Sequence, residues 1–346
     1  MNEDKFEKNN ERRFSYLSLK KIIKILGLLI LFIMMFWNFL VAAFFIILFN
    51  IKSLKKSVFG NLPLETKKNS YKGPITIEYK KANLPLKLDI YYPSKPKNKY
   101  PVVFFAHGGG WVTGSRKLSS VTSWAKYLSG KGFAVVAIDY RYGYFYKFED
   151  LIEDYSSALN YIRENYHNLN IDKDKIVLMG TSAGGTLSLY YAAYHSYFNH
   201  TKELEGIKGV VAWYSPTDLL DLWNIQVDSL FAQFAVTTTM KGTPKNKYED
   251  YKAFSPINYI SERMLPTMLI HGEKDSTVPL NSSVKFYEEL KKQGVNSVLL
   301  THPKGEHSFE LELKDLLTQR LVEKTVNFIR ERVENLPNYA FHKNRN

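Results

Sequence analysis

Hydrophobic positions recur along this chain with more than one period. From Ile25 to Phe49 the run ILGLLILFIMMFWNFLVAAFFIILF is apolar on every face, with Asn38 the one strongly polar residue and no charge. At ~1.5 Å per residue such a run makes a helix about 37 Å long, enough to cross a hydrocarbon core of ~30 Å. The pattern predicts a transmembrane helix over 25–49, between a polar basic segment at 1–24 and a polar juxtamembrane linker at 50–72. A buried soluble helix is the weaker alternative, because such helices rarely stay apolar all round for this length. The run also exceeds the apolar region of a cleaved signal peptide, and no small-x-small site follows it.

Beyond the linker, short β-like runs alternate with helical ones. PITIEY and LKLDIYY read as strands, and PVVFFAH is a continuous apolar run of the kind buried on both faces of a sheet. FAVVAIDY, KIVLMG, IKGVVAWY, PTMLIHG and SVLLTH read as further strands. Helical spacing falls around Val121–Leu128, from about Phe148 to Tyr166, after Ser182, from about Ser282 to Gln293, and through to about Glu334. The alternation predicts an α/β fold over 73–335, a mostly parallel central sheet with helices on both faces, followed by a polar tail at 336–346. The segment 218–259 is longer than an ordinary connection. Leu222, Trp223, Leu230, Phe231 and Phe234 are spaced within it as one apolar helix face. It reads as a cap over a site, with a helix packed on the core as the alternative.

Composition changes this picture little. The 346 residues are 45% hydrophobic, sufficient for a sizeable core, and no low-complexity tract suggests disorder. The absence of cysteine excludes disulfides, thiolate metal sites and a cysteine nucleophile. The net charge of +13 comes from scattered lysines that often neighbour Glu or Asp, so it reads as a solvated surface with some attraction to anionic membrane. No nucleic-acid partner is implied. Arg12, Arg13, Lys20, Lys21 and Lys24 precede the apolar run, and Lys52, Lys55 and Lys56 follow it. The bias predicts a single-pass protein with a cytoplasmic N-terminus and a translocated C-terminal domain.

Candidate chemistry concentrates after the strands. Gly180-Thr181-Ser182-Ala183-Gly184 matches G-x-S-x-G at a strand-to-helix turn, where a serine is either a helix N-cap or an exposed nucleophile. A nucleophile needs an acid and a histidine later in the chain. Asp275 follows PTMLIHG and His307 follows SVLLTH, so each sits at the C-terminal edge of a parallel sheet. His307 is then the general base and Asp275 its orienting carboxylate. Glu273, His302 and His271 are lower-ranked competitors, lying on or against their strands. HGGGW, His107–Trp111, follows another strand and brings glycine amides close to substrate. Gly109 and Gly110, with the amide of Ala183, are the candidate oxyanion donors. Trp111, Tyr142, Trp223 and Phe231 are candidate substrate-binding side chains. The aromatics of YRYGYFYKF either line an acyl pocket or pack the cap. Neither phosphate-binding glycine motif occurs, and no metal ligand set or cofactor is implied.

HGGGW, GTSAGG, HGEKDSTVP, GEHSF and the strand-end DYR of Asp139–Arg141 together resemble the α/β-hydrolase superfamily, particularly its hormone-sensitive-lipase-like and carboxylesterase-type branches. The resemblance covers about 73–335. It implies a cofactor-independent serine hydrolase acting on carboxylic esters, with a small-molecule or lipid ester as partner. Thr181 stands where lipase-like members often carry Asp, and DYRYGYFYKFED replaces their DYRLAPE-type run. An amidase or peptidase with the same triad, or a non-catalytic hydrolase-like binding module, is the alternative function.

Overall fold

A computed structural model describes residues 22–33, 55–56, 59–81, 84–224, 227 and 229–334. The chain divides into two units, 1–54 and 55–346. In the first, residues 22–33 are helical, with Ile25, Leu29 and Phe32 among its exposed apolar side chains. Of the run read as a transmembrane helix, 25–33 belongs to that helix and 34–49 lies outside the described residues. Among the described residues no helix is long and apolar enough to cross a membrane.

The second unit is built on one eight-stranded sheet in the order β1-β2-β4-β3-β5-β6-β7-β8. Its strands are β1 (Tyr71–Lys80), β2 (Leu86–Pro93), β3 (Tyr100–Ala106), β4 (Ala134–Ile138), β5 (Ile171–Thr181), β6 (Ile207–Trp213), β7 (Thr267–Gly272) and β8 (Ser297–His302). β2 pairs antiparallel with β1 and β4, and every pairing from β4 through β8 is parallel. β1 thus begins inside the stretch read as linker, as an antiparallel edge.

Alternation along the central strands explains their unbroken apolarity. Val102, Phe104 and Ala106 of β3 join one buried cluster with Ile176 and Leu178 of β5. Val103 and Phe105 join the other with Val177 and Met179. Successive side chains point to opposite faces, and both faces are covered. Helices α2 (Phe148–Glu164), α3 (Ala183–Tyr197) and α7 (Leu280–Lys292) contribute to the first cluster. Helices α1 (Ser119–Gly130) and α8 (Leu316–Glu334) contribute to the second. A single turn, α4 (Thr201–Leu204), leads into β6.

The cap segment folds differently from its sequence reading. Leu222 and Trp223 end a 3-10 turn, Leu219–Trp223, that Asp218 caps by accepting from the Leu220 amide at 3.0 Å. A separate helix, α5 (Leu230–Met240), then starts at Ser229, whose hydroxyl accepts from the Ala232 amide at 3.2 Å. Two local caps therefore divide what the spacing suggested was one helix face. A further helix, α6 (Pro244–Ala253), begins on proline and buries little beyond Tyr251.

Candidate functional site

Ser182 lies directly after β5 and before α3, at φ 50° and ψ −122°. It occupies the N-cap position, yet its side chain makes no capping hydrogen bond. The turn instead holds the hydroxyl free of the helix, and the neighbouring glycines make it possible. A Cβ on Gly184 would run into the Ala106 carbonyl, and one on Gly180 into the backbone of Gly184. A non-glycine residue at positive φ costs of order 1–3 kcal/mol, which the packed sheet must offset.

The hydroxyl points to His307, with Ser182 Oγ and His307 Nε2 3.0 Å apart. On the other side of the ring, Nδ1–H donates to Asp275 Oδ2 at 2.7 Å. Asp275 Oδ1 accepts the amides of Thr277 at 2.8 Å and Val278 at 2.9 Å. Burial pushes the Asp275 carboxyl up, but the attraction of His307 and hydrogen bonds from His271 and His307 outweigh it and hold the group well below the usual carboxylate range. Asp275 is thus an anion committed to orienting the imidazole.

The competing residues are occupied elsewhere. His302 Nε2 faces the Asp315 carboxylate at 3.2 Å, and its Nδ1 accepts the Lys304 amide at 3.2 Å. Glu273 accepts from the Thr301 hydroxyl at 2.7 Å. His271 is buried behind Asp275. Its Nδ1 accepts from Ser283 at 2.7 Å, while Nε2–H points to the Val278 carbonyl at 3.0 Å and lies 3.4 Å from Asp275 Oδ2. It supports the acid.

The glycine loop after β3 lies against the serine turn. A Cβ on Gly108 would sit 3.1 Å from the Thr181 carbonyl and 3.4 Å from Ser182 Cβ. Gly109, at φ 121°, adopts a conformation that only glycine takes readily. The amides of Gly109 and Gly110 donate to no other group among the described residues. Gly110 also lies against the segment read as a cap. A Cβ there would meet Ala235 Cβ at 2.7 Å and the Phe231 ring at 3.1 Å, so α5 presses its Phe231 face on the loop.

The loop is braced from below by groups the sequence reading left unassigned or misassigned. Trp111 is 1% exposed. Its indole N–H donates to the Ala183 carbonyl at 3.1 Å, so it is no pocket wall. His107 is buried flat against Tyr140, with ring centroids 4.3 Å apart, and bonds the Gly108 carbonyl through Nδ1 at 2.7 Å. Burial pushes its basicity down, so the ring is neutral. Tyr140 donates to the His107 carbonyl at 2.8 Å. Asp139 accepts the Arg116 amide at 2.8 Å and pairs with its guanidinium, which also meets Asp89 at 3.0 Å. Arg141 grips α2 through Asp154 at 2.7 Å and Glu153 at 2.8 Å. DYR, singled out by resemblance alone, thus ties the glycine loop, the loop at 115–116 and α2 to the end of β4. Tyr142 is partly exposed and donates to the Gly114 carbonyl at 2.6 Å. Trp223 is partly exposed and donates to the Tyr251 hydroxyl at 3.3 Å, within the cap. Among the described residues no group of three or more His, Asp or Glu is arranged to hold a metal ion.

The chain is similar to known proteins. The BD-FAE family model matches residues 88–290, a span that holds Ser182 and Asp275 and stops short of His307. The esterase LipC of Mycobacterium tuberculosis is 28% identical over 225 residues, covering 63% of this chain and 55% of that protein. Isoprenylcysteine alpha-carbonyl methylesterase ICME of Arabidopsis thaliana is 25% identical over 245 residues, covering 67% of this chain and 55% of that protein. The chain spans about half the length of these curated relatives. A thermophilic esterase of Thermogutta terrifontis, Est2, superposes with a TM-score of 0.60 at 27% identity, over 75% of this chain and 92% of that one. With more than half of its length matched by the family model, the chain belongs to the BD-FAE family, and its domain is an α/β-hydrolase of the carboxylesterase type.

Proposed function

We propose that this chain is a membrane-anchored serine esterase that hydrolyses uncharged acyl or aryl esters through an acyl-enzyme. The observation that carries the reading is the hydrogen-bonded series Ser182, His307, Asp275 on a serine held at positive φ. Ser182 Oγ attacks the ester carbonyl carbon as His307 Nε2 takes its proton. The amides of Gly109, Gly110 and Ala183 receive the oxyanion, where loss of one such donor typically costs ~2.7 to 4 kcal/mol. His307 returns the proton to the departing alcohol. Water then repeats the sequence on the acyl-serine and releases the acid. Aromatic groups such as Phe231 over the loop favour an uncharged substrate.

Anchoring rests on the apolar run 25–49, and a translocated catalytic domain on the excess of basic residues before it. Cysteine-accessibility tagging at both ends tests the orientation, on a background free of native thiols. The function is tested by exposing the full chain and Ser182→Ala to a fluorophosphonate probe and a graded series of aryl esters. Ser182-dependent labelling with ester turnover is expected. Absence of that labelling overturns the hydrolase reading, and amide turnover exceeding ester turnover replaces it with an amidase.

A further inference from the structure

Behind the His307 ring lies a second buried acid that the triad does not use. Tyr214, directly after β6, packs edge-on against His307, with ring centroids 4.8 Å apart at 64°. Its backbone is unusual, with φ 40°, and its amide donates to the Ile270 carbonyl at 2.6 Å. Its hydroxyl donates to Glu310 Oε1 at 2.5 Å. Glu310 is 1% exposed, three residues after the histidine, on the 3-10 turn Phe309–Leu311. Its other oxygen, Oε2, makes no hydrogen bond. The Trp124 indole of α1 faces it without closing a bond of normal geometry.

A carboxyl in this setting is costly as packing, because burial with one partner leaves an ionised oxygen unsatisfied. We propose that Glu310 is a positioning residue for His307: it fixes the Tyr214 ring on which the imidazole rests, and its charge behind that ring favours the imidazolium formed during acyl transfer. The proposal rests on the reading of His307 as general base. Burial pushes the Glu310 carboxyl up to about 7, opposed by the Tyr214 hydrogen bond, the nearby Trp124 indole and His307. The charge is thus present on the alkaline side of neutrality and fades below it. The titratable groups facing Glu310 are Tyr214 at the end of β6 and His307 on its own loop. Asp275, from the loop after β7, acts on Tyr214 and His307. From α1 the uncharged Trp124 faces it.

The test uses the full chain and the pH profile of kcat/KM on an aryl ester. A carboxylate near an imidazole raises its basicity, so Glu310→Gln is expected to move the acid limb downward by about half a unit or more. Tyr214→Phe keeps a ring against His307 but removes the donor that favours the Glu310 anion, and is expected to move the limb the same way. Fluorophosphonate labelling of each variant verifies that a reactive serine is folded. Labelled variants whose profiles superpose on the parent overturn the proposal, even if kcat is lower, because a merely structural glutamate would leave the profile in place. Failure of the parent itself to label would count instead against the serine esterase reading.

Discussion

The indole of Trp111 donates a hydrogen bond to the carbonyl of Ala183, 3.1 Å away, and thereby fastens the glycine loop to the first residue of the helix behind Ser182. Two separate segments that supply the proposed oxyanion donors are held in register by one buried bond. Trp111→Phe keeps the ring and loses the donor. It is expected to cost about 1 kcal/mol of stability, read from urea unfolding. Because misplaced donors act in the transition state, kcat is expected to fall by about tenfold with little change in KM. A variant with unaltered kcat would show that the bond serves packing alone.

Asp275→Asn removes the anion that His307 faces and allows the amide to favour the wrong tautomer. Triads that lose this carboxylate while keeping their geometry fall by about 10⁴ in kcat, and a drop of that order is expected here. Glu273→Gln, at a carboxylate that accepts from the Thr301 hydroxyl, is expected to leave kcat within about twofold, so the pair assigns the acid by initial-rate kinetics.

Gly184→Ala would drive a methyl group into the Ala106 carbonyl at the end of β3. Backbone cannot give way as a flexible side chain can. Overpacking of this kind costs about 1–3 kcal/mol, and the expected outcome is a lower urea midpoint together with loss of fluorophosphonate labelling. A midpoint equal to that of the parent would mean the turn is looser than its contacts indicate.

Glu310 makes stability depend on pH with a definite sign. Its folded-state value of about 7 stands above its ordinary 4.5. The unfolded chain therefore gives up this proton first as pH rises. The stability tied to the neutral carboxyl is complete below about pH 4.5, declines between 4.5 and 7, and is gone above. The difference amounts to no more than about 3 kcal/mol. Glu310→Gln cannot ionise, so its Tm relative to the parent is expected to rise from pH 4.5 to pH 8 in calorimetry. A constant Tm difference across that range would remove the buried charge from consideration.

Much of the scaffold could be read from the chain because burial leaves a simple imprint. Val102–Ala106 of β3 and Ile176–Met179 of β5 sit between two helical layers, so each of these positions is apolar, and such runs announce themselves. Ser182, Asp275 and His307 were identifiable because each follows a strand in the sheet's parallel part. Where the reading departed from the structure, the cause was local. Spacing from Leu222 to Phe234 mimicked one helix face, but Asp218 and Ser229 cap two separate elements. α6 carries almost no apolar pattern and borrows its stability from Tyr251. Trp111 looked like a pocket wall because an aromatic beside a glycine loop does not disclose which way its ring turns. Glu310 gave no signal, since only packing distinguishes a buried glutamate from a surface one.

Ser182 and His307 meet across 125 positions, and β8, which delivers the histidine, is the outermost strand of the parallel edge. Bringing such distant segments together is entropically unfavourable until the intervening sheet has formed. A growing polypeptide would therefore carry the proposed nucleophile long before the proposed base. Hydrolytic competence would arrive only when the last strand is laid down, so that turnover reports completed synthesis and folding of the whole domain.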